Sequence, residues 1–129
     1  MNGGVVMDVS ESLEMYLEAI LELETKNSVV RSVDIARFLG VTKPSVNRAM
    51  SNLKKEGYIH QEPYGDVTFT DKGRVKASRV HELHHVITDF LVKSLGIDIA
   101  VAEADACRME HVISPETVKA MKAYLRSKP

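Results

Sequence analysis

Glu103, Cys107, Glu110 and His111 are the residues of this chain whose types and spacing best fit a chemical task. On a helix advancing about 100° per residue, the four project within about 100° of one another. A stripe of two carboxylates, a thiol and an imidazole is a donor set for a divalent transition metal. Two donors elsewhere fit the same chemistry. Met15 sits at the edge of an acidic helix side formed by Glu11, Glu18 and Glu22, away from the Leu13/Leu17/Ile20 stripe. That is a poor position for core filler and a reasonable one for a thioether ligand. His84 shares a stripe with Val80, Ile87 and Leu91, so it faces inward, where an imidazole needs a polar partner or a metal. Each residue alone has an ordinary reading, the thiol as a small hydrophobe and the methionine as gap filler. Together they point to a metal.

His81-Glu82-Leu83-His84-His85 also matches H-E-x-x-H, in which two histidines hold zinc and the glutamate is a general base. A protease needs a third ligand and a substrate cleft. Residues 25–70 are already committed to another unit, so no enzyme is expected.

The elements that must position these donors follow from periodicity. Residues 8–25 read as an amphipathic helix. Ser32 is placed to cap a short helix carrying Val33, Ile35, Ala36, Phe38 and Leu39, which stops at Gly40. Thr42 caps a third helix with Pro44 in its first turn and Val46, Met50 and Leu53 as its buried stripe, ending at Gly57. Residues 58–62 and 67–69 read as two strands joined by Pro63-Tyr64-Gly65-Asp66. A long helix then runs from Thr70 to about Leu95, another from about Ala100 carries the donor stripe, and Ser114-Pro115 starts the last. The expected fold is mainly α: a winged helix-turn-helix over residues 1–72, then a helical domain over 73–129.

In that fold the third helix enters a major groove with its N-terminal residues nearest the bases. Those residues are Thr42, Lys43, Pro44, Ser45, Asn47 and Arg48. Arg48 can grip a guanine with two hydrogen bonds, while Lys54, Lys55 and the wing are better placed for phosphates. Charge agrees. The chain is −1 overall, yet residues 25–79 carry eleven Lys/Arg against five acids, and residues 1–24 carry six acids and no Lys or Arg. A basic middle between acidic and neutral flanks is a nucleic-acid footprint. A winged-helix interaction module that senses no metal is the rival from another class. With 44% hydrophobic and 27% charged residues the chain should be globular. It has no apolar run of membrane length and no secretory leader, and one cysteine suits a reducing cytoplasm.

The order winged helix, long helix, donor helix and Ser-Pro helix resembles the diphtheria toxin repressor family of metal-dependent regulators (DtxR/MntR). The carriers are Glu14-Met15-Tyr16-Leu17, Val41-Thr42-Lys43-Pro44-Ser45-Val46, Thr70-Asp71-Lys72-Gly73, His84 and Ala106-Cys107-Arg108-Met109-Glu110-His111. The resemblance implies a homodimeric repressor that binds a palindromic operator and dimerises through its C-terminal helices. It implies Met15, Cys107, Glu110 and His111 as the regulatory ligands of the iron-responsive branch. His84 matches a ligand of both branches, and Glu18 a carboxylate of the manganese branch. Glu103 stands where the iron branch has a histidine ligand and Thr88 where it has a glutamate, so the second site departs from the pattern. The residues end at Pro129, and the SH3-like third domain of long members is expected to be absent. Thioether and thiolate donors favour Fe(II) over Mn(II), and Zn(II) binds such sites well; iron is the expected physiological ion, with Mn(II) and Zn(II) the alternatives.

Overall fold

Gly40 and Gly57 punctuate the first half of the chain, because both adopt the left-handed conformation that ends helices at low steric cost (φ 67° and 80°). The computed structural model describes residues 9–63 and 65–127. The expected helix start at Asp8, Tyr64 of the hairpin turn, and Lys128 and Pro129 of the expected second domain lie outside the described residues. The chain divides into two compact units, one up to Ser78 and one from Arg79. The mainly helical fold with one small hairpin agrees with the sequence reading.

In the first unit, α1 (Val9–Lys26), α2 (Ser32–Leu39) and α3 (Lys43–Lys55) are followed by a two-stranded antiparallel hairpin. Its strands are β1 (Ile59–Gln61) and β2 (Val67–Phe69), with Ile59 opposite Phe69 and Gln61 opposite Val67. Leu17, Ile20, Ile35, Val46, Leu53, Ile59 and Val67 form the core. Burying side chains of this size contributes about 1.5–3 kcal/mol each, so the core outweighs the individual caps.

One expectation needs correction at α2. Ser32 does not cap it: Arg31 is the N-cap, its backbone N–H donating to Asp34 Oδ2 at 3.0 Å. Ser32 Oγ accepts instead from Gln61 Nε2 at 3.1 Å, tying the helix start to the wing. Of the apolar residues assigned to α2, Ile35 is fully buried, whereas Val33 and Phe38 are exposed, and Lys26 Nζ stands 5.6 Å above the Phe38 ring. Thr42 behaves as expected, its Oγ1 accepting from Ser45 N–H at 3.3 Å to cap α3.

Helix α4 (Asp71–Asp89) begins in the first unit and continues into the second. Thr70 Oγ1 accepts from Gly73 N–H at 3.0 Å and donates to Gly57 O at 2.6 Å, so one hydroxyl caps α4 and anchors it to the end of α3. Bidentate hydrogen bonds from Arg74 to Glu24, both 3.0 Å, hold α4 to α1, and the hydrogen-bonded carboxylate raises the guanidinium pKa above its usual value.

In the second unit, the helical run reaches Leu95 as expected, but Phe90–Ser94 is a π-helical turn. There Leu91 stays in a core with Ile87, Ala102, Ala106 and Met121, while Phe90 meets Tyr124 edge-on at 5.7 Å. Asp98 caps α5 (Ile99–Met109) by accepting from Ala100 N–H, and Ser114 Oγ accepts from Thr117 N–H to start α6 (Pro115–Ser127). Among the described residues no helix is long and apolar enough to cross a membrane.

Candidate metal centre

Helix α5 ends at Met109, two residues short of the expected donor helix. Val112 N–H and Ile113 N–H both return to Met109 O, closing a turn ahead of Ser114-Pro115, where a helix cannot run on. Glu110 keeps helical backbone angles (φ −60°, ψ −23°) as the C-cap, and His111 follows in the turn. The stripe is therefore split. Glu103 and Cys107 are exposed on α5, whereas the side chains of Glu110 and His111 are 0% and 3% exposed.

Glu110 is the centre of the buried half. Its Oε2 lies 2.8 Å from His84 Nδ1, which reaches across from α4, and its Oε1 lies 3.4 Å from His111 Nε2. A charge is buried at a large cost unless it is paired or coordinated. One carboxylate and two imidazoles within the second unit are a donor set that fits a divalent transition ion. His84 faces inward, as its stripe implied, with 19% of its side chain exposed. Thr88, which replaces the expected glutamate, is buried.

The α1 candidates sit differently from expectation. Tyr16 to Ile20 are consecutively buried, so α1 has no open acidic side at mid-length. Glu18, expected on that side, is 9% exposed, and Met15, expected away from the core, is half-buried and packs against the first-unit core. A helical wheel assumes one covered side, and here the helix is covered over most of its circumference. Glu82, the would-be general base, accepts from Lys122 Nζ on α6 at 2.9 Å, which holds its carboxyl below the usual range.

The nucleic-acid face is built on α3. Thr42, Lys43, Pro44, Asn47, Arg48 and Lys55 are exposed, Ser45 is half-buried, and no acid occupies the first turn, which leaves the positive helix end uncompensated. A cleft of about 600 Å³ runs between α3, the start of α2 and the wing, and it gathers Arg31, Lys43, Asn47 and Lys54 above Val46 and Met50. Arg31 was missed in the sequence because only the fold brings it beside α3. The Lys54 ammonium is committed to Gln61 O at 2.9 Å, so it braces the wing. Burial raises the Tyr16 phenol pKa, and the Arg48 cation pulls it partly back, which puts Arg48 within electrostatic reach of the core.

Comparison with known proteins places this geometry. Residues 8–67 match the iron dependent repressor N-terminal DNA binding domain. Residues 70–128 match the iron dependent repressor metal binding and dimerisation domain. A helix-turn-helix transcriptional regulator of Methanocaldococcus jannaschii is 33% identical over 91% of this chain and 94% of its own. The diphtheria toxin repressor of Corynebacterium efficiens is 32% identical over 92% of this chain and 51% of its own. The structure of the manganese regulator SloR superposes with a TM-score of 0.78 at 25% identity, covering 90% of this chain and 54% of that one. The chain thus spans about half the length of the latter two. These are regulators, not enzymes, which removes the protease reading of H-E-x-x-H. The chain belongs to the diphtheria toxin repressor family of metal-dependent, DNA-binding transcriptional regulators.

Proposed function

We propose that the protein is a cytoplasmic, homodimeric repressor that binds a palindromic operator when Fe(II) is plentiful and so shuts off metal-uptake genes. The observation that carries the metal reading is the buried Glu110 carboxylate between His84 and His111. The proposed regulatory ligands are Glu110, His111, Cys107 and Met15, with His84, Glu18 and Glu103 as the candidates for a second site. This set rests on the resemblance of the Met15 and Cys107–His111 segments to the iron-responsive branch. Soft sulfur donors support Fe(II) over Mn(II). The family domains are named for iron and several similar structures for manganese, so the choice of metal rests on the donors.

For DNA, the exposed first turns of α3 support base contacts by Thr42, Lys43, Pro44, Ser45, Asn47 and Arg48, with Lys55 on phosphate. Dimerisation is supported by Leu95, Ile99, Val101 and Val112, large apolar side chains left exposed in the second unit. A bound ion favours the DNA-competent dimer by no more than its differential affinity for that state, on the order of 10²-fold in operator affinity.

The test is anaerobic fluorescence anisotropy on a duplex enriched from a random pool, titrated with Fe(II), Mn(II) and Zn(II), with Met15→Ala and Cys107→Ala alongside. Fe(II) should tighten binding about 10²-fold, and either substitution should abolish the gain. Equal affinity with chelator and with every metal would sink the sensor reading and leave the plain interaction module. A response to Mn(II) alone would overturn the iron assignment.

A further inference from the structure

We propose that His81, half-buried, and His85, exposed, form a separate site on α4 for a late first-row divalent ion of the Ni(II), Cu(II) or Zn(II) kind. The two residues are one helical turn apart and their Nε2 atoms face each other at 3.2 Å, with ring planes at 89°. At the roughly 2.0–2.1 Å of a metal–imidazole bond, that separation subtends about 100° at a shared ion, between the octahedral and tetrahedral angles. The i, i+4 spacing on a rigid helix pre-organises both donors, so little side-chain entropy is lost on binding.

Imidazole alone, with water completing the shell, selects the later divalent ions over Mn(II) and Fe(II) by the Irving–Williams order. An imidazole binds a metal in its neutral form, so each Nε2 offers its lone pair and each ring proton sits on Nδ1, which for His81 is buried. The nearest acid in sequence, Glu82, is held by Lys122 and does not compete for the ion. His84 turns to Glu110 instead, so the pair is distinct from the buried cluster. The site is proposed on these two rings and uses none of Met15, Cys107, Glu110 and His111.

The experiment is equilibrium dialysis of the purified, untagged full chain against Ni(II), comparing wild type with His81→Gln and His85→Gln. Glutamine is a good helix former, and circular dichroism checks that both variants fold. Wild type should bind one more Ni(II) per chain than either variant. Loss of one of two donors should weaken this site at least about tenfold, the scale seen for lesser, outer-shell changes. The same difference should persist in a Met15→Ala/Cys107→Ala background, whatever that background does to regulatory binding. With Cu(II) as the probe, electron paramagnetic resonance should show coupling to two nitrogens in wild type and one fewer in His85→Gln. Equal Ni(II) stoichiometry and affinity in wild type and both variants would overturn the proposal and leave the 3.2 Å contact as a hydrogen bond between rings.

Discussion

His84 Nδ1 lies 2.8 Å from Glu110 Oε2, which joins α4 to the turn after α5 through a carboxylate with no solvent exposure. Two roles account for such a pair: a hydrogen bond that holds the second unit together, or a ligand pair awaiting a cation. They differ in what metal does to stability. An ion that binds only the folded state adds about 2.7 kcal/mol at a hundredfold excess over Kd. Wild type should therefore gain about that much in urea denaturation when Fe(II) replaces chelator, and Glu110→Gln should lose most of that gain. If Glu110→Gln keeps the full metal increment, the glutamate is structural and not a ligand.

Among the described glycines, Gly73 is the most closely approached. A Cβ there would overlap Tyr58 O, and that carbonyl is backbone already accepting from Thr70 N–H at 3.1 Å. It cannot step aside as a flexible side-chain tip would. Gly73→Ala should force α4 away from the strand and cost about 1–3 kcal/mol, at the upper end of that range. Chemical denaturation of the metal-free protein measures this, and a loss under about 0.5 kcal/mol would show that the contact relaxes freely.

Much of this was legible in the chain. Thr42, Gly40, Gly57 and Ser114-Pro115 mark local events, caps and left-handed turns, whose causes lie within four residues. The candidate donors Glu110, His111 and His84, which the structure brings together, also stand out by type and spacing. What escaped depends on distant neighbours. Ser32 yields the cap to Arg31 because the wing's Gln61 takes its hydroxyl. Periodicity alone extended α5 through His111, whereas the approach to Pro115 stops it at Met109. Glu18 and Met15 were read from a wheel with one dry side, while α1 is covered over most of its circumference. The π turn at Phe90–Ser94 has no sequence signature that periodicity could register.

Tyr16 offers a pH readout of the first unit. Burial raises its pKa above 10.0, and the Arg48 charge opposes the shift. A group with a raised folded pKa contributes stability that is fully present below its unfolded value near 10 and is lost as pH rises through the folded value. Stability should thus fall above pH about 10 in wild type, and less so in Tyr16→Phe. Removing the opposing cation with Arg48→Ala should push the Tyr16 phenol higher still. Absorbance titration at alkaline pH, with Tyr16→Phe as the subtraction control, reports this directly. An unchanged titration in Arg48→Ala would mean that the two residues are not coupled.

Arg48 is also where base reading and phosphate holding can be told apart. It is exposed on α3, one turn after Pro44, on the same helix as Lys43 and Lys55. A planar guanidinium can bond guanine O6 and N7 together, and an ammonium cannot reproduce that geometry. Arg48→Ala and Arg48→Lys should each cost about 1–3 kcal/mol, confined to one base position of each half-site. Lys55→Ala should weaken all sequences alike and reduce the salt slope by about one. Binding measured across single-base variants of the enriched duplex, at two salt concentrations, separates these outcomes. Uniform weakening by Arg48→Ala would assign Arg48 to the backbone and move base reading to Asn47 and the cap residues ahead of it.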